Sequence, residues 1–422
     1  MYKITKSFLQ SLGLDTNADP RKIKIYGNGG RMLPLLNSVD YPMDLTENAI
    51  QVVGESDGVF DNQDFILFYA EGMDNWNEDY KSSLNIYADK SYYYVSTNGG
   101  MGKRIQQAIE PSGSSTLTFT KYNDLLYYEK DLVNAGKVGR RWFGEQFNVN
   151  SNQGFSFSIP NIDLSVPLEV KINLASKSFG SSSFSITANN QNIGVVTFPA
   201  LVPFSGVEGY ENVLNTTFNA NSPNVVFNLV YNNGGVPSSN GYLDFIRVKS
   251  TRNLVGFGKQ YLFFNDEQST NIGVGNYAIS NASSLGQIWD VTDIYNVKKY
   301  VNPGSANYSF KVNLGLKNKY VALDIQDVYT PFKEAVSVVQ NQNLKGTIFK
   351  NNQGNFQDID YLIITPFSLY NQAENLANFH RINSGLSVKV VLTELIYQEF
   401  SSGKQDIAAI RNFIKYVYFL KN

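Results

Sequence analysis

The sequence contains no cysteine and a single histidine, His380. The first absence excludes disulfides, thiolate zinc sites and a cysteine nucleophile within these 422 residues. The second excludes the usual histidine-based metal clusters. Charge is scarce too: charged residues make up 17% of the chain, against about 25% in an average soluble domain. A formal net charge of -2 leaves no electrostatic footprint for a phosphate backbone or an anionic bilayer. No apolar run reaches the roughly 18 residues of a membrane span, and the N-terminal stretch MYKITKSFLQSLG lacks the apolar core and cleavage site of a leader. The composition favours a mature or trimmed secreted chain, beginning after its signal peptide, over a cytosolic one.

What is abundant is aromatic. Tyr (27) and Phe (28) are separated by Asn, Gly and Ser, and the pairing of strand formers with turn formers predicts β-rich architecture. The length suggests about two to four domains. A β-rich domain is expected over 1–110, with strands at Lys22–Tyr26, Asp64–Tyr69 and Ser91–Val95. The cluster Gly27-Asn28-Gly29-Gly30 after the first of these invites a phosphate-loop reading. No Gly-Lys-Ser/Thr follows and Pro34 interrupts the helix that would be needed, so a glycine-rich turn is the better account. Asp57, Asp61 and Asp64 could turn toward one Ca²⁺, yet the closing Glu of an EF-hand loop is missing and a polar turn before a strand is preferred.

Residues 111–150 read as a connector, with Tyr127–Asp131 and Gly139–Glu145 packing between domains or framing a recognition surface. A β-sandwich region is expected over 151–345, as one domain or as two with a break near 250. Its clearest signal is the alternation of Leu164, Val166, Leu168, Val170, Ile172 and Leu174 with polar neighbours, which puts one face inward. Further strands at Phe155–Ile159, Phe184–Thr187, Val225–Tyr231 and Tyr242–Val248 suggest a jelly-roll-like sandwich. The segment Asn341–Gln357 has little periodicity, and a linker is placed at 346–357.

From 358 to 422 the pattern changes. Tyr361–Ile364 is a continuous apolar run of the kind found in parallel sheets. Leu369, Ala373, Leu376 and His380 then form a helical stripe, Gly385 ends the helix, and Val388–Leu392 is a second strand. Asp406 can cap a last helix whose stripe is Ile407, Ile410, Ile414 and Val417. This βαβα order needs further strands to cover both faces, so the chain reads as a piece of a longer protein. Ligands of open α/β sheets bind beyond strand carboxyl ends, here Thr365-Pro366 and Thr393-Glu394. His380 is read as packed or capping near a helix end rather than as the base of a serine hydrolase.

The stretch DYLIITP…ANFHRINSGLSVKVVLTELIYQEFSSGKQDIAAIRNFIKYVY resembles the start of the catalytic domain of gingipain-like cysteine peptidases. Its form is most similar to the surface sortases of the type IX secretion system of Bacteroidetes. DPRKIKIYGNGGRMLP, FDNQDFILFYAEG, YYEKDLVNAGKVGRRWFGE and IWDVTDIYNV extend that resemblance over nearly the whole chain. The fold class it implies is mostly β and multi-domain, with the sandwich, followed by the truncated start of a gingipain/caspase-like α/β domain. The activity it implies is removal of the C-terminal sorting signals of secreted cargo and transfer of the cargo to anionic lipopolysaccharide through an acyl-enzyme. Implied partners are an outer-membrane β-barrel subunit of the secretion system (PorV-like), cargo sorting domains and lipopolysaccharide as acceptor, at the extracellular face of the outer membrane. No position here matches the family's catalytic cysteine and histidine, so no catalytic, cofactor-binding or metal residue is assigned, and this chain is expected to be an inactive pro-region or docking platform. The alternative is a non-enzymatic surface protein whose sandwich binds glycan or protein.

Overall fold

The computed structural model describes residues 1–420 apart from Asp79, Val138 and Arg140. Val138 and Arg140 of the expected connector and Lys421–Asn422 of the expected α/β unit therefore lie outside the described residues. Strands dominate, and the only parallel two-stranded sheet among the described residues is the terminal one.

The N-terminal residues form two small sheets. Tyr2–Thr5, Phe65–Phe68 and Gln51–Val53 make one, and Glu47–Asn48, Lys24–Tyr26 and Tyr94–Ser96 make the other. Ile4, Leu9, Ile23, Ile25, Ile50, Phe60 and Ile66 pack between them. A second apolar cluster joins Met1, Leu67 and Ile105 to Trp289, Val321 and Leu323, so this region is bonded through its core to strands some 200 residues later in the chain.

The sandwich has one sheet of Gln146–Phe147, Asn240–Asn253, Leu168–Lys177 and Tyr210–Phe218. The facing sheet holds Asn152–Ser158, Asn224–Asn232, Ser182–Ala188 and Gln191–Phe198, all antiparallel. Inward residues such as Phe147, Phe155, Ile172, Phe184, Phe227 and Ile246 fill the space between, as period-2 alternation requires. The strand of the alternating run starts at Leu168, not Leu164. Asp163 accepts from the Ser165 N–H and hydroxyl, Val166 N–H bonds back to Asp163, and Pro167 has no N–H to give a ladder, so Leu164 is left exposed in a turn.

Residues 111–150 are more than a connector. Lys121–Glu129 pairs in register with Phe245–Asn253, along the edge of that long strand opposite the one on which Phe245 to Lys249 pair with Asn173 to Glu169. Arg252 fixes this junction: it donates to the Asp124 carboxylate at 2.7 Å and to Pro160 O at 2.6 Å, and its guanidinium lies over the Tyr122 and Phe257 rings.

From Leu254 the chain enters a separate β unit with its own core of Phe119, Tyr122, Phe263, Tyr277, Phe310 and Tyr320. Its sheets are Tyr261–Phe263, Tyr320–Asp324, Leu285–Asp290, Lys298–Val301 and Gln106–Gln107, and Tyr308–Asn313, Val274–Ile279 and Leu117–Phe119. The fully buried Gln268 accepts from Tyr277 Oη at 2.9 Å and donates to Tyr320 Oη at 3.2 Å, which satisfies both phenols in an aromatic interior.

Residues 346–357 are not a free linker. Leu344–Thr347 is a short helix, and Leu344 and Ile348 are buried in the core of the following unit. Glu399 anchors the helix start by accepting from Leu344 N at 2.5 Å and Gln342 Nε2 at 2.9 Å. The terminal unit then pairs Tyr361–Thr365 with Val388–Leu392 in parallel, Tyr361 opposite Val388. Between them runs the helix Tyr370–Asn383, and after them the helices Thr393–Phe400 and Ile407–Leu420. Gly385, at φ 67°, turns the chain out of the first helix.

The helical faces are in part those expected: Ala373, Ile410 and Val417 face inward, and the other apolar residues of the two stripes do not. In the first helix the buried positions are Ala373 and Ala377, while Leu369 and Leu376 are exposed. In the last, Ala408, Ala409 and Phe413 are buried, Ile410 and Val417 half-buried, and Ile407 and Ile414 exposed.

Candidate functional site: a clasp between the N-terminal loop and the α/β unit

The loop that follows strand Lys24–Tyr26 reaches the far end of the sequence. Asn28 shapes it, donating to Asp44 O at 2.9 Å and accepting from Thr46 N at 3.1 Å. Gly29 has φ 74°, which a side chain would strain, and a Cβ on Gly30 would stand 2.2 Å from Gly72 O. The glycine cluster therefore serves a close backbone approach, not a phosphate.

Opposite the loop is the turn Ser401–Asp406, between the last two helices. Ser402 at φ 53° and Gly403 at φ 85° bend it back, and a Cβ on Gly403 would stand 2.6 Å from Tyr94 Oη. Three contacts join loop to turn. Ser402 Oγ accepts from Asn28 N at 3.3 Å, Lys404 Nζ donates to Gly29 O at 2.6 Å, and Asp406 Oδ2 accepts from Leu33 N at 2.7 Å. The Leu33 side chain is fully buried with Leu344, Val391, Ile396, Phe400 and Phe413. Arg411 and Lys415 continue the seam by donating to Pro34 O, Leu35 O and Asn37 O.

Burial sets the electrostatics. It pushes the Lys404 ammonium down to about 8, with Asp406 and Glu71 acting in the other direction. It also raises the Asp406 carboxyl, against the N–H bonds from Leu33 and Ala408 and the charges of Lys404 and Arg411. Asp406 does cap the last helix, as its sequence position suggests, through Ala408 N at 2.8 Å. Its second oxygen, on Leu33, is what sequence reasoning missed.

At the carboxyl ends of the two parallel strands, Glu394 Oε1 accepts from Phe367 N at 3.2 Å and Thr393 Oγ1 donates to Glu394 Oε2 at 3.2 Å. These groups tie the two strand ends together. His380 lies on the helix away from them, with Nδ1 3.3 Å from Ser384 Oγ and its ring edge-on to Tyr361 and Phe379. In the 57–64 segment, Asp57 accepts from Val59 N and Asp64 from Asp61 N, so both carboxylates shape turns. The geometry of the clasp holds one unit against another; it contains no nucleophile–base pair.

Residues 355–422 match the model of Peptidase family C25. No curated protein matches the chain. Among solved structures, dimeric latent PorU from Porphyromonas gingivalis is similar at a TM-score of 0.81 and 23% identity, covering 99% of this chain and 38% of that one. A family 35 carbohydrate-binding module from Clostridium thermocellum aligns with 30% of this chain and 90% of its own at 15% identity, with a TM-score of 0.19. The chain thus spans 38% of the length of the PorU chain it resembles. It has the fold of that part of latent PorU, mostly β and followed by the start of a peptidase C25 α/β domain.

Proposed function

We propose that this chain is the N-terminal part of a C25-type cysteine peptidase that acts at the cell surface as a sortase. In this reading the complete protein removes C-terminal sorting signals from type IX secretion cargo and transfers the cargo to anionic lipopolysaccharide, beside a PorV-like β-barrel subunit. The β domains are a platform that seats the catalytic domain, and the 422 residues, having no cysteine, supply no thiolate of their own. The observation that carries the reading is the clasp: the unit matching Peptidase family C25 is held on the N-terminal β domain through Leu33, Lys404 and Asp406. Reading the gene beyond codon 422 tests it. A cysteine and a histidine in a continuing α/β domain are expected, with cleavage of a sorting-signal reporter that is lost when that cysteine is replaced by alanine. A stop codon, or a continuation without cysteine, overturns it.

A further inference from the structure

A cleft of about 540 Å³ lies on the outer face of the first sandwich sheet, beneath the loops that carry Tyr80 and Trp142. The size suits a small-molecule site. Its base is a fixed polar network. Arg141 spans two carboxylates, bonding Glu211 at 2.8 and 2.6 Å and Asp244 at 2.9 and 2.8 Å, and Asn173 Nδ2 donates to Asp244 at 2.7 Å. Asp244 is buried, while the Arg141 and Glu211 side chains are each 45% exposed, so half of the network faces the cleft. Burial opposes the Arg141 charge, but the two carboxylates outweigh it and hold the guanidinium protonated.

Two further groups complete the lining. Trp142 is 40% exposed on one wall. Lys171, on the sheet beside Asn173, stands over the Phe245 ring at 6.0 Å and makes no ion pair among the described residues.

We propose that this cleft binds a neutral oligosaccharide. A purely apolar ligand would strip water from Arg141, Glu211 and Asn173 and return no hydrogen bonds. A polyanion would meet a lining in which four carboxylates face three cations. A pyranose answers both demands. Adjacent hydroxyls donate to Glu211 and accept from Arg141 and Lys171, and the C–H face of the ring covers the Trp142 indole. Every residue named lies in the β domains, so the assignment goes beyond the peptidase reading and stands or falls separately from it.

The test is titration calorimetry of the 422-residue chain with maltotriose, mannotriose, cellotriose and tri-N-acetylchitotriose, with trigalacturonate as the acidic probe. Saturable binding of at least one neutral probe is expected. Trp142→Ala should weaken it by about tenfold or more, Trp142→Phe should retain most of it, and Val213→Trp should block the cleft. Circular dichroism melts on the same samples identify any variant that fails to fold, and the remaining variants then decide. No binding of any neutral probe overturns the proposal, as does binding indifferent to both Trp142→Ala and Val213→Trp, or trigalacturonate binding more tightly than every neutral sugar.

Discussion

Lys404 has no exposed surface, and its ammonium has Gly29 O as its hydrogen-bond acceptor. Its folded value near 8 is below the unperturbed 10.5. The folded chain thus holds this proton more weakly than the unfolded chain, and stability rises as pH climbs through that window. Lys404→Met removes the titration while keeping the bulk. The stability of the wild type relative to this variant should increase by about 2 kcal/mol between pH of about 7.5 and about 9.5, read from urea midpoints. Buried tyrosines such as Tyr94, raised to about 12, act in the opposite sense at high pH, but they are common to both proteins and cancel in the difference. A difference that does not change with pH would mean that Lys404 is not desolvated in solution.

At the scale of elements, the loop Gly27–Pro34 and the strand Asn240–Asn253 each join units that are distant in sequence. Leu33→Ala removes a fully buried side chain from the α/β core and should cost about 2–5 kcal/mol there. Hydrogen exchange should show the helices Thr393–Phe400 and Ile407–Leu420 losing protection while the sandwich strands keep theirs. Equal loss in both would show that the loop is a general core element and not a clasp. Arg252→Met leaves Asp124 half-buried without its cation, and a cost of roughly 3 kcal/mol is expected. Adding Asp124→Asn should recover part of it, and strictly additive costs would rule out the coupling.

The same elements show what the residues alone could reveal. The parallel strands Tyr361–Thr365 and Val388–Leu392 and the cap at Asp406 are legible because a strand's apolar run and a helix cap are local signals. The strand Lys121–Glu129 carries a mixed aromatic and charged sequence, and only its partner at 245–253 makes it a strand. Helix faces are legible only in part, because Ala409 and Ala377, weakly apolar in any pattern, are buried against the rest of this chain and the larger Ile414 and Leu376 are not. The clasp was invisible for a stronger reason. Ser402, Lys404 and Asp406 are polar residues in a glycine turn, which reads as solvent-facing until a loop more than 370 residues away supplies their partners.

For the whole molecule, the terminal unit differs from the rest in how much apolar surface it shows. Phe367, Phe379 and Ile382 around the first helix, and Ile414, Tyr418 and Phe419 on the last, are exposed, with Ile382 at 81%. Exposed apolar side chains in this number are what a further layer would bury, such as the proposed continuation of the peptidase domain would supply. If the continuing α/β domain covers this face, Phe379→Glu with Ile382→Glu should have opposite consequences in two proteins. In the 422-residue chain the pair should shift the melting midpoint little, because surface changes stay within about 0.5 kcal/mol each, and should reduce dye binding and self-association in sedimentation. In the longer protein the same pair buries two carboxylates against apolar neighbours, and should destabilise the α/β domain by several kcal/mol or shift those carboxyl groups toward the neutral form. Equal tolerance in both proteins would show that this face stays in water.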